Sequence, residues 1–206
     1  MAGLGIGPEE FEVFDIEDPQ ERSGALDARL APRLRALGSG LAGGLSRVAG
    51  TLLHPHVGKV QRRKGQPPGE VFVAFCQSEK GYRSLPHLLL AVTAADLHAR
   101  VAARTAADRG GALQRALSRE AGNLARKGKP FRKLRSYEGW DHLDLPEIAP
   151  AHSAAFWSEQ AEALAVGGID LGVAWPAAEA RSLSVGDVLG AFRDLAPLFK
   201  LLVNAR

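Results

Sequence analysis

Val71-Phe72-Val73-Ala74-Phe75-Cys76 is an unbroken apolar run, bounded by Pro67-Pro68-Gly69 on one side and by the polar stretch 77–81 on the other. It is rich in β-branched and aromatic residues and too short for an ordinary buried helix, so it reads as a strand covered on both faces. Such a strand needs a neighbour. Residues 85–93 supply the next apolar segment and read as its hairpin partner. The stretch 94–107 carries two signals. Its alanines favour helix, while Leu97, Ala99, Val101 and Ala103 alternate with His98, Arg100, Ala102 and Arg104 in the period of a strand.

Towards the N-terminus, Asp18-Pro19-Gln20-Glu21 marks a helix start: a capping side chain, proline at the first helical position and a carboxylate three residues after the cap. Leu26, Leu30, Leu34, Leu37, Leu41, Leu45 and Val48 then form a helical stripe, which Pro32 is expected to kink or split. Towards the C-terminus, Leu113, Leu117 and Leu124 support a helix after Gly110-Gly111, and residues 128–150 read as a loop-rich connection. A helix fits 151–165 and a strand fits 169–175. Ser184-Val185-Gly186-Asp187 caps a last helix that buries Val188, Leu189, Phe192, Leu195, Phe199 and Leu202. At 206 residues the chain suits one α+β domain, with a mostly antiparallel or mixed sheet flanked by helices.

Cys76 is the single cysteine and has no intramolecular disulfide partner, and no charged and apolar leader opens the chain; the expected compartment is the cytoplasm. No apolar run approaches the roughly 20 residues of a membrane span. The net charge of +3 is segregated. Residues 59–135 hold 17 Lys and Arg against 5 Asp and Glu, a net +12, between flanks of −3 (1–58) and −6 (136–206). A basic block of this kind suits an anionic partner, and a solvated surface neutralised by its flanks is the plainer explanation.

The common signatures of catalysis and cofactor binding are absent. Gly38-Ser39-Gly40-Leu41-Ala42-Gly43 matches the glycine string of dinucleotide loops. It follows a helical stripe rather than a strand, however, and no acidic residue follows about 20 positions later, so it reads as a flexible helix end. No nucleophile elbow, H-E-x-x-H or paired C-x-x-C occurs, no cofactor is implied, and Cys76 reads as an inert core thiol. His54 and His56 fall on one face of an extended segment, and His87 follows the next strand; two histidines alone do not define a metal site. The dense cationic runs are Lys59, Arg62, Arg63 and Lys64, then Lys80 and Arg83 beside Tyr82, then Arg126, Lys127, Lys129, Arg132, Lys133 and Arg135 with Phe131 and Tyr137 interleaved. Cations next to aromatic rings suit phosphate contact with base stacking.

Pro55-His56-Val57-Gly58-Lys59, Arg62-Arg63, Pro67-Pro68, Phe72-Val73-Ala74-Phe75 and Gly81-Tyr82-Arg83-Ser84-Leu85-Pro86-His87 together resemble the YktB-like family, small bacterial proteins with a domain of unknown function. Phe11-Glu12-Val13-Phe14, Pro32-Arg33-Leu34, Asp141-His142 and Leu195-Ala196-Pro197-Leu198 echo it elsewhere. The resemblance implies an α+β fold that is β-rich at 97–104, which decides that stretch for strand. The chain departs from the pattern at Gln66 and in its arginine and alanine richness between 99 and 135.

Two functional readings follow. In the first, Lys59, Arg62, Arg63, Lys80, Tyr82 and Arg83, extended by Arg126, Lys127, Lys129, Arg132, Lys133 and Arg135, contact the phosphates of nucleic acid. In the second, His56 and His87 act as acid and base on a phosphorylated or carboxylated small molecule held by the same cations and Tyr82. An interaction or regulatory protein, in which the motif mainly stabilises the hairpin, is the third and blandest. The first is favoured because charge segregation is a property of the whole chain.

Overall fold

The computed structural model describes residues 3–58, 69–127, 135–136, 147–148 and 152–205. The run at 71–76 lies in β2 (Glu70–Cys76), which pairs with β1 (His54–Val57) on one side and β3 (His87–Thr93) on the other. β3 pairs with β4 (Asp96–Arg104), and β4 with β7 (Gly168–Pro176). Two short strands, β5 (Arg135–Ser136) and β6 (Glu147–Ile148), extend the sheet beyond β7, so the order is β1-β2-β3-β4-β7-β5-β6. Every pairing is antiparallel. The strand at 97–104 is real, and its central position explains why. Leu97 sits between Val92 and Trp175, and Val101 between Leu88 and Leu171, so ladders on both sides outweigh the helical preference of its alanines.

One face of the sheet carries the helices. Val71, Val73, Phe75, Leu88, Leu90, Val101 and Leu171 pack into a single core with four helices. Short helices α1 (Pro8–Glu12), α2 (Pro19–Ala25) and α6 (Ala177–Ala180) accompany them; Leu34, Leu41 and Leu45 come from α3 (Ala31–Ala49), Leu113 and Leu117 from α4 (Ala112–Arg126), Trp157 and Leu164 from α5 (Ala154–Val166), and Phe192, Leu195 and Phe199 from α7 (Val185–Asn204). The capping signals work as read. Asp18 accepts from the amides of Gln20 and Glu21, both at 2.8 Å, and Ser184 and Asp187 cap each other reciprocally. No helix among the described residues is long and apolar enough to cross a membrane.

The segment changes geometry just before Pro32: the helix at Pro19–Ala25 passes through one π-helical turn, Leu26–Leu30, into α3, so the regular i to i−4 ladder is interrupted where the proline has no amide hydrogen to give it. The glycine string is not a helix end but the middle of α3. A Cβ on Gly38 would stand 2.9 Å from Val73 Cγ2 and 3.2 Å from Pro55 Cβ, so its absence lets the helix lie close on β1 and β2. Gly40 faces open space. Gly40→Ala should therefore stabilise by about 1 kcal/mol through helix propensity. Gly38→Ala should destabilise by about 1–3 kcal/mol because overpacking outweighs that gain. Thermal melts of the two variants should move in opposite directions.

Candidate functional site

The second face of the sheet is built differently. Alternation places His56, Phe72, Ala74, His87, Leu89, His98, Arg100, Ala102, Asp170 and Gly172 on it, and ladder pairing aligns His56, Ala74, Leu89, Arg100 and Gly172 in one row across five strands. Ala74, Leu89 and Ala102 form a small apolar patch at its centre, on which Phe72 and Tyr82 rest. To one side of Tyr82 the molecule opens into a cleft, and along the β4 and β7 strands lies a group of buried charges.

The cleft has a volume of about 770 Å³ and is lined by His56, Gly58, Ser78, Lys80, Tyr82, Arg83, Ser84 and Ala106, among others. Its wall is the 77–86 connection between β2 and β3, which is tied down from within. The Cys76 thiol, fully buried, has the carbonyls of Ser78 and Gly81 both at 3.3 Å and shares its one hydrogen between them, and the Leu85 amide donates to Tyr82 O at 3.0 Å, closing a turn. These bonds use the connection's carbonyls. Among the described residues the amides of Gly81, Arg83 and Ser84 make no hydrogen bond, which leaves donors at a wall already bearing two cations. His56 Nε2–H donates to Ser78 O at 2.7 Å; when the ring is neutral the lone pair is on Nδ1.

Tyr82 is braced on three sides. Its ring centroid lies 5.0 Å from His87 and 5.7 Å from Phe72, both edge to face, and 6.2 Å from the tilted ring of His56. His87 is fully buried beneath it and donates from Nδ1 to Leu85 O at 2.7 Å. Burial lowers its pKa to about 4, the nearby Arg104 and Arg100 act in the same direction, and the bond to Leu85 opposes them only in part. At neutral pH His87 is thus an uncharged ring behind Tyr82.

The buried charges centre on Arg100. Its Nη2 lies 2.5 Å from Glu70 Oε2 and its Nη1 3.4 Å from Asp170 Oδ2, with Arg100 and Asp170 each only 4% exposed. A Cβ on Gly172 would stand 2.2 Å from Ala99 O and 2.6 Å from Arg100 Cγ, so glycine is needed where the arginine stem crosses β7. Burial raises the pKa of Asp170 to about 7 despite Arg100, and no donor among the described residues reaches its Oδ1.

Of the residues expected to act together, the structure gathers His56, Lys80, Tyr82 and Arg83 around one cleft. His87 touches that cleft only through Tyr82. Arg126 and Lys127 are exposed at the far end of α4, a helix of 15 residues and so about 22 Å long, whose near end follows Ala106. They form a separate basic group on the helical layer. Lys59, Arg62, Arg63, Lys129, Arg132 and Lys133 lie outside the described residues, and for Arg135 only its place in β5, opposite Gly172, is described. The sequence reading missed the amides of the 77–86 turn, which carry no side-chain signal. It also missed Glu70–Arg100–Asp170, although Arg100 stood at a polar position in the alternation of 97–104.

Residues 7–137 match a family described as domain of unknown function (DUF1054). A UPF0637 protein of Bacillus velezensis is 38% identical over 87 residues, covering 42% of this chain and 41% of its own. UPF0637 proteins of Bacillus thuringiensis strain Al Hakam and Bacillus cereus strain AH187 are each 40% identical over 78 residues, 38% of either chain. The chain thus spans about two fifths of the length of these curated relatives. UPF0637 is the family to which the YktB-like motifs pointed. The matched segment contains every lining residue of the cleft and ends before Asp170.

Proposed function

We propose, from the premise that this chain belongs to the DUF1054 family, that it is a binding protein for a phosphate-bearing partner, one phosphate being held in the cleft by Lys80, Arg83 and the 77–86 turn. The observation that carries this reading is the meeting of two cationic side chains with turn amides that make no hydrogen bond among the described residues, in a cleft beside an aromatic ring. Nucleic acid is the favoured partner, because the net +12 of residues 59–135 extends well beyond the cleft and would draw a polyanion over a wide area. A phosphorylated small molecule is the alternative, favoured by the cleft's volume, which lies within the roughly 300–1,000 Å³ of small-ligand sites. A cytoplasmic setting goes with either.

Fluorescence anisotropy with labelled single-stranded and duplex DNA and RNA tests the reading. Binding at low salt is expected to weaken by about one logarithmic unit per phosphate neutralised as salt rises tenfold. The Lys80→Ala/Arg83→Ala double variant is expected to lose about tenfold or more in affinity with its melting temperature unchanged, since both side chains are exposed. Absence of binding to these probes, and to inorganic phosphate by NMR titration of the Gly81, Arg83 and Ser84 amides, would remove the basis of the proposal.

A further inference from the structure

We infer that the cleft takes a single nucleotide unit, its base stacked on Tyr82 and its phosphate at the 77–86 turn, so that the ligand is a free nucleotide or an unpaired residue of a single strand rather than a duplex. The inference rests on the phosphate reading above and goes beyond it by assigning the aromatic ring. Tyr82 has no need to line a cleft in order to fill the core. The patch beneath it is only Ala74, Leu89 and Ala102, and the ring is half-buried, one part on that patch and another at the cleft. Phe72, His87 and His56 hold it from its other sides, so the ring does not have to be ordered when a ligand arrives.

The spacing suits a nucleotide. Lys80 and Arg83 flank Tyr82 in the chain and share its cleft, so a base on the ring sits next to cations and amides that can receive the phosphate. The volume of about 770 Å³ holds one such unit and not a helix, and a base within a duplex has both faces stacked already and cannot reach the ring. His87 is a positioning residue here: buried, tied to Leu85 O and placed against Tyr82, it sets where the ring stands.

Isothermal titration with adenosine 5′-monophosphate, ribose 5-phosphate and inorganic phosphate tests the assignment on the full chain. The nucleotide is expected to bind about tenfold or more tightly than ribose 5-phosphate, the gain of one stacked base. Tyr82→Phe should keep that margin, and Tyr82→Leu should erase it while ribose 5-phosphate binds as before, with thermal melts showing both variants folded. Equal binding of nucleotide and ribose 5-phosphate by the unaltered protein, or a margin that survives Tyr82→Leu, overturns the inference and leaves the phosphate reading standing. Failure of all three to bind overturns both. A single-stranded tetranucleotide binding more tightly than the mononucleotide identifies a strand as the source, and the reverse identifies a free nucleotide; both agree with the inference. A duplex that matches the single strand does not.

Discussion

Arg100→Met is expected to lower folding stability by about 3 kcal/mol or more near pH 7.5, the usual loss when one member of a buried ion group is removed and the others stay. Glu70 on β2 and Asp170 on β7 would lose the guanidinium that joins them over β3 and β4, on a face where Arg100 and Asp170 are 4% exposed. Adding Asp170→Asn to that variant should return much of the loss, since without Arg100 the pKa of Asp170 rises further and the folded state no longer has to take up a proton there. Arg100→Lys should fall in between, because one ammonium cannot engage two carboxylates the way a forked guanidinium does. Urea denaturation midpoints measure all three. A cost below about 1 kcal/mol for Arg100→Met, or a double variant no more stable than the single one, would show that the group is not coupled as its distances imply.

The second large effect is one of pH, and in the unaltered protein it is mostly hidden. Asp170 has its folded pKa raised from 3.8 to about 7, so between those values the native state holds a proton that the unfolded chain has released. Its contribution falls as pH rises, by about 1.4 kcal/mol per unit. His87 has its folded pKa lowered from 6.5 to about 4, so over nearly the same range the unfolded chain holds the extra proton. Its contribution is complete above pH 6.5 and is lost as pH falls towards 4, the opposite slope. The two therefore cancel between about pH 4 and 6.5. Asp170→Asn should expose the His87 slope, with stability rising with pH, and His87→Phe should expose the Asp170 slope, with stability falling. Urea midpoints at pH 4.5, 5.5 and 6.5 should diverge for the two variants on either side of a flatter parent. Three parallel curves would refute the assignment.

The reach of the sequence differs between the two halves of this picture, for physical reasons. The strand at 71–76 was legible because sheet burial on both faces needs a continuous apolar run. The caps at Asp18 and Ser184 were legible because capping is local. Residues 97–104 were not decidable from period and propensity alone, since the neighbour that fixes them, β7, lies far along the chain. The glycines of 38–44 read as an end because the contacts that need them, with Val73 and Leu189, are likewise distant. In the candidate site, Tyr82 with Lys80 and Arg83 was visible as an aromatic flanked by cations. The burial of His87 was not, for it depends on the ring above it and the carbonyl of Leu85. The pairing of Arg100 with Asp170 joins residues on strands separated by two helices, and nothing local announces it.

The place of β4 in the sheet has a consequence for how the protein is made. One ladder of β4 is with β3, a hairpin neighbour available at once; the other, nine residues against Gly168–Pro176, waits for about 70 more residues to emerge, some 4–14 s at ordinary rates of translation. During that interval the strand bearing Arg100 is an open, apolar sheet edge, and Arg100 has Glu70 without Asp170. A truncation at residue 137, where the family match ends, would make that interval permanent. Such a fragment would lose with β7 the cover of that edge and with α5 and α7 the side chains that complete the core, so the family segment depends on the one after it for its fold.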